Sequence, residues 1–174
     1  MNKWYMLTVV GKDKPGIVAH ISGALFEGGC QLGEASMMRL GGNFTIMLMV
    51  NFKGTAKALE ALLASESQSL ALTVHIDVID AHLHDHRIPD VRISVHGADR
   101  PGIVAQVTRA LAEAGLDILD LESDVGGSAQ APIYVMHIEG VAREGLPALR
   151  SALDVVSRGT GIHAQIAAID TLVG

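Results

Sequence analysis

The apolar positions divide the chain into two similar strings of elements. In the first, Trp4 to Val10 forms an apolar strand, and Ile17, Val18, Ile21, Ala24 and Leu25 recur at helical spacing. Pro15 predicts the start of that helix and Gly28-Gly29 its end. Leu32 to Leu40 and Phe44 to Phe52 flank Gly41-Gly42, which predicts a two-residue hairpin. A second helix carries Leu59, Leu62 and Leu63 on one face, and Leu70, Leu72, Val74, Ile76 and Val78 alternate as a strand with one buried side.

The second string has the same order. It runs through a strand from Val91 to His96, a helix from Pro101 to Ala114, and hairpin strands over Leu116 to Val125 and Ile133 to Ile138. A helix through Leu146, Leu149, Leu153 and Val156 and a strand over Ile162 to Leu172 complete it. Its hairpin connection, Gly126 to Pro132, is the longer of the two. Two βαββαβ units predict an α+β protein of two tandem ferredoxin-like domains, each an antiparallel sheet with helices on one face. The expected boundaries are 1–80 and 90–174, with a connector over 81–89.

The repetition extends to individual residues. Gly11-Lys-Asp-Lys-Pro-Gly-Ile-Val-Ala19 returns as Gly97-Ala-Asp-Arg-Pro-Gly-Ile-Val-Ala105, an offset of 86 residues. The correspondence continues from Ala24-Leu25 to Ala110-Leu111, from Glu27 to Glu113 and from Gly29 to Gly115. The shared Asp-x-Pro-Gly joins the first strand of each unit to its first helix. The backbone N–H groups of Gly16, Ile17 and Val18, and of Gly102, Ile103 and Val104, then lie at a helix N-terminus, which favours an anion such as a carboxylate. Asp13 and Asp99 stand beside them as acceptors for an ammonium, so each loop has groups for both ends of an amino acid. The plainer alternative is that the aspartate caps the helix and Pro-Gly shapes the turn.

Composition narrows the function. A net charge of −6 argues against a broad phosphate-binding surface and therefore against direct nucleic-acid binding. Cys30 is the only cysteine, which excludes an intrachain disulfide and fits a reducing, cytoplasmic setting. No apolar run approaches the roughly 18 residues of a membrane span, and no secretory leader pattern opens the sequence. Hydrophobic residues make up 49% of the chain, more than two small cores hide easily, so association into a homo-oligomer, a homodimer in the simplest case, is expected.

The loop and its surroundings resemble the ACT family. The likeness covers nearly the whole chain twice and is strongest over Asp13 to Val18, Gly28 to Leu32, Asp99 to Val104 and Ala114 to Ile118. Tandem pairs without an attached enzyme are similar to the glycine cleavage repressor family, a similarity carried by Asp13 to Val18, Cys30 to Glu34 and Leu40-Gly-Gly-Asn-Phe-Thr45. The resemblance implies a small amino acid as ligand, glycine or serine first, held at a domain or subunit interface. It also implies a transcription factor or enzyme as partner. The family's second contact comes from the first position of the second strand, commonly asparagine, which here is Gln31 in one unit and Asp117 in the other. Glutamine donates and accepts, while an ionised aspartate only accepts, so the two sites are expected to differ in specificity.

Other features point to less. His82, His84 and His86, with Asp80, Asp85 and Asp90, form an alternating cluster in the connector, and the solvated-connector reading is preferred to a metal site. Met47, Met49, Tyr134 and Met136 are read first as core, and Cys30 as a small packed side chain. No Gly-x-Ser-x-Gly elbow, phosphate-binding loop, dinucleotide fingerprint or His-Glu-x-x-His occurs, so neither an enzyme nor a cofactor is expected. The competing readings are a ligand-independent assembly module and a small acylphosphatase-like hydrolase, the latter having only Lys12 and Lys14 in the first loop where an arginine belongs.

Overall fold

The computed structural model describes residues 2–80, 87–98, 100–128 and 131–169. Contacts divide it into two units, Met1–Asp85 and His86–Gly174. The first contains β1 (Lys3–Lys12), α1 (Ile17–Glu27), β2 (Gln31–Leu40), β3 (Asn43–Phe52), α2 (Ala56–Leu70) and β4 (Thr73–Ile79). The second contains β5 (Val91–Ala98), α3 (Ile103–Glu113), β6 (Leu116–Ser128), β7 (Ala131–Ala142), α4 (Leu146–Thr160) and β8 (His163–Ala168). The sheet orders β2-β3-β1-β4 and β6-β7-β5-β8 are identical and antiparallel. Each unit is the predicted ferredoxin-like α+β sandwich.

The period-2 pattern explains the packing. On β1, Tyr5, Leu7 and Val9 are buried, with Phe44, Ile46, Leu48 and Val50 of β3 beside them, against Ile17, Ile21 and Leu25 of α1 and Leu59 and Leu63 of α2. The second core repeats this with Val91, Ile93 and Val95, Met136 and Ile138, Ile103, Val107 and Leu111, and Leu149 and Leu153. Each fully buried aliphatic side chain contributes about 1.5–3 kcal/mol of transfer free energy.

The hairpin between β2 and β3 turns on Gly41 and Gly42, both at positive φ (56° and 76°), as a turn matched to strand twist requires. In the second unit the strands extend further than expected: Gly126 and Gly127 of β6 pair with Ile133 and Pro132.

Two expected boundaries shift. Leu70 is the last residue of α2 and not the start of a strand, because Leu63, Ser67 and Leu70 continue the helical stripe. Ala71 then stops the helix in the left-handed conformation (φ 54°), and Leu72 N–H donates back to the Ser67 carbonyl at 2.8 Å. Val78 of β4 is 62% exposed, so the expected alternation of buried residues ends before it. Of the expected last strand, 170–172 lies outside the described residues.

The outer faces of the two sheets, those away from the helices, differ sharply. Antiparallel partners share a face, so Trp4, Met6 and Val10 lie on one side with Met47 and Met49, Met38 and Leu40, and Ile79. In the second unit the corresponding face carries Arg92, Ser94 and His96 with His137 and Glu139, Asp120 and Glu122, and Gln165 and His163. Met136 is core as expected, whereas Met47 is half exposed on the apolar outer face.

Candidate functional site

The repeated motif acquires its geometry from its glycines. A Cβ on Gly11 would sit 2.5 Å from Leu72 Cδ2 and 3.3 Å from the Ala71 carbonyl oxygen, so glycine lets the α2–β4 connection close against the loop. Gly97 serves the same contact with Ile162. Gly16 and Gly102 are the N-caps of α1 and α3, at φ 89° and 91°, a left-handed conformation that costs any L side chain about 1–2 kcal/mol. The helices therefore begin at Ile17 and Ile103, two residues after the prolines that were expected to start them. Pro15 and Pro101 instead set a turn before a left-handed cap that only glycine takes cheaply.

Asp13 makes no capping hydrogen bond to α1. Its backbone N–H donates to the Gly42 carbonyl at 3.0 Å, and its carboxylate is ion-paired with Arg39 from the end of β2. Asp13, Lys14, Gly16, Ile17, Val18, Met37, Arg39 and Phe44 line an open hollow of about 520 Å³. On the α1 side, His20 Nδ1 lies 2.9 Å from Glu66 Oε2, and the ring passes close to Gly16. Arg39, Met37 and Phe44 are the site residues that sequence reasoning missed. The Gly41-Gly42 turn was the available signal, since a two-residue turn places Arg39 opposite Phe44.

Gln31 lies elsewhere. It pairs with Asn51, eight residues along β3 from the Asn43 that pairs with Lys12, which puts it roughly 27 Å from the loop at strand rise. Within one unit the hollow thus holds Asp13, Gly16, Ile17 and Val18, and Gln31 stands at the opposite end of the sheet. The second unit has the same separation: Asp117 pairs with Val141, while Gly102, Ile103 and Val104 open α3 at the other end. Asp99 lies outside the described residues, as do His82, His84, Asp85 and His86.

Asp117 is already engaged. Arg143 Nη2 donates to its Oδ2 at 2.7 Å, and Arg87 reaches the same oxygen from the connector. The Arg143 hydrogen bond, against an opposing desolvation and with the help of the Arg87 charge, holds this carboxyl below the ordinary carboxylate range. The pairing therefore contributes above that range and fades as pH falls through the lowered value. Asp90 fastens the same region, its Oδ1 accepting from Ala142 N–H at 2.8 Å. Asp117→Ala is expected to free Arg87 and speed tryptic cleavage after it several-fold at neutral pH. An unchanged cleavage rate would show that the ion pair does not hold the connector.

Cys30 packs against the first core, and burial pushes its thiol above the ordinary range, which leaves little thiolate for nucleophilic chemistry. Among the described residues no group of three or more His, Cys, Asp or Glu side chains is placed to hold a metal ion. No helix among them is long and apolar enough to cross a membrane.

A family model of the ACT domain matches residues 5–77, and a second ACT-domain model matches residues 91–157. The chain belongs to the ACT domain family, with two ACT domains in tandem. A UPF0237 protein of Listeria monocytogenes serotype 4b is 35% identical over 74 residues, 41% of this chain and 83% of that protein. The UPF0237 protein YjhC of Lactococcus lactis is 33% identical over 72 residues, with the same shares covered. Both tandem ACT domains together align with an unknown protein from Galdieria sulphuraria at TM-score 0.75 and 22% identity, covering 97% of this chain and 99% of that one. A candidate glycine cleavage system transcriptional repressor aligns at TM-score 0.70 and 18% identity, covering 97% and 98%. At these identities the two structures establish a shared fold. The repeated Asp-x-Pro-Gly loop thus connects the first strand and first helix of each ACT domain.

Proposed function

We propose that this protein senses a small amino acid, glycine or serine, at the Asp-x-Pro-Gly loops and passes the liganded state to a protein partner. In this reading it is a cytoplasmic transcriptional regulator of the glycine cleavage repressor type, and not an enzyme. The observation that carries the reading is the first loop. A helix N-terminus, an ion-paired aspartate and a hollow of about 520 Å³ meet there, giving both signs of charge beside the first turn of α1. Membership of the ACT family and the shared fold of the candidate repressor support it. The chemistry is recognition: carboxylate on the Ile17 and Val18 N–H groups, ammonium on Asp13, and a small side chain against Met37 and Phe44.

Regulation follows from linkage. A ligand shifts a partner's affinity only as far as it binds the partner-competent state better than the other. Calorimetric titration of the protein with the twenty amino acids tests the reading. A small amino acid binding at millimolar concentration or tighter is expected, and no binding by any of them would sink it.

A second reading, ligand-independent assembly, has one observation in its favour: the apolar outer face formed by Trp4, Met6, Met38, Met47 and Ile79. Its occupant would be a second copy, since the same patch on two chains is self-complementary about a two-fold axis. Sedimentation separates the readings. A dimer that Met47→Glu dissociates and that ignores amino acids favours assembly alone.

A further inference from the structure

The two loops share Gly-x-Asp-x-Pro-Gly-Ile-Val-Ala, with Lys12 and Lys14 replaced by Ala98 and Arg100, and the strands beside them differ further. The register identifies the positions. Gly11 opposes Phe44, which opposes Arg39, while Gly97 opposes Tyr134, which opposes Val125. The first domain therefore sets a guanidinium and a phenyl ring beside its loop. The second sets an isopropyl group and a phenol there.

The pair in the first domain has a specific consequence. Asp13 and Arg39 neutralise each other, and they offer adjacent charges of opposite sign at the wall of one hollow. An α-amino acid is likewise neutral overall, with its ammonium and carboxylate attached to the same carbon atom. Laid antiparallel to the ion pair, it meets Asp13 with its ammonium and Arg39 with its carboxylate, each charge facing its opposite. A guanidinium has five N–H donors, of which the pairing with Asp13 uses few, and 68% of the Arg39 side chain remains exposed to receive a ligand.

The second domain lacks this match. Val125 donates nothing, and the Tyr134 hydroxyl is buried with no hydrogen-bond partner among the described residues. A carboxylate entering there would meet the helix N–H groups without a cation on the facing strand. We propose that Arg39 is the residue that selects the ligand carboxylate, and that zwitterion recognition is confined to the first domain. The inference rests on the sensor reading and narrows it from two loops to one.

Calorimetry with glycine and serine, each compared with its carboxamide, tests it on the full chain carrying Arg39→Gln, Arg39→Lys or Val125→Arg, with folding checked by circular dichroism. The wild type is expected to prefer acid over amide by about tenfold or more, as a charge-assisted contact implies. Arg39→Gln should remove most of that preference and Arg39→Lys restore part of it. Val125→Arg should add a weak second site. If the wild type binds neither amino acid, the sensor reading fails for these ligands and this inference falls with it. If it binds them and Arg39→Gln keeps the full acid-over-amide preference, the inference alone is overturned.

Discussion

Replacing Gly140 with alanine is expected to destabilise the protein by about 2–3 kcal/mol, the upper range for forcing atoms into a packed interior. Gly140 lies in β7 between Val91 of β5 and Ile118 of β6, next to the register shift between Ile118 and Asp120. A Cβ there would sit 2.3 Å from the Asp117 carbonyl oxygen and 3.1 Å from its carbon. That obstacle is backbone, which a rotamer change cannot clear. The first domain places Val50 at the equivalent position, opposite Tyr5 and Leu32, fully buried and accommodated. The constraint therefore comes from the course of β6 and not from the sandwich itself. Urea denaturation reads the effect, and a Gly140→Ala midpoint equal to that of the wild type would show that β6 moves aside at little cost.

The second large effect is functional. Asp13→Ala should weaken amino-acid binding by about tenfold or more, since among the described residues it removes the only carboxylate lining the hollow. It also leaves Arg39 without its counter-charge, so the variant should bind acetate better than the wild type while binding glycine and serine worse. Stability should change little, because an ion pair whose arginine is mostly exposed contributes about 0–1 kcal/mol. Competition titrations with acetate and glycine distinguish this from general damage to the loop, which would weaken both.

The elements were largely legible in the sequence because each is amphipathic at its own period. The helical recurrence of Ile17, Ile21 and Leu25 and the alternation of Tyr5, Leu7 and Val9 appear directly as buried faces. Gly41-Gly42 announced a hairpin that forms with both residues at positive φ. Leu70 was ambiguous because it satisfies both the helical stripe through Leu63 and the alternation through Leu72. The left-handed Ala71 that decides between them carries no compositional mark. The helix start was misplaced by two residues because proline at the first helical position and proline before a glycine cap look alike in one dimension.

The site was legible only in part. Asp13, Gly16, Ile17 and Val18 adjoin in sequence and meet in space. Arg39 reaches Asp13 through two strand pairings, to Phe44 and on to Gly11, and the Gly41-Gly42 turn marks only the first of them. The same holds for Arg87 and Arg143, whose convergence on Asp117 depends on how the connector meets the end of β6. Residues that act through register are invisible to local pattern, whereas residues that act through a loop are not.

The central claim is that the first Asp-x-Pro-Gly loop is an amino-acid site, and backbone amide chemical shifts during titration with serine or glycine address it most directly. Saturable shifts at Gly16, Ile17 and Val18, with much smaller ones at Gly102, Ile103 and Val104, are the predicted result. Shifts that leave the first loop untouched, or none at all at millimolar ligand, would contradict it.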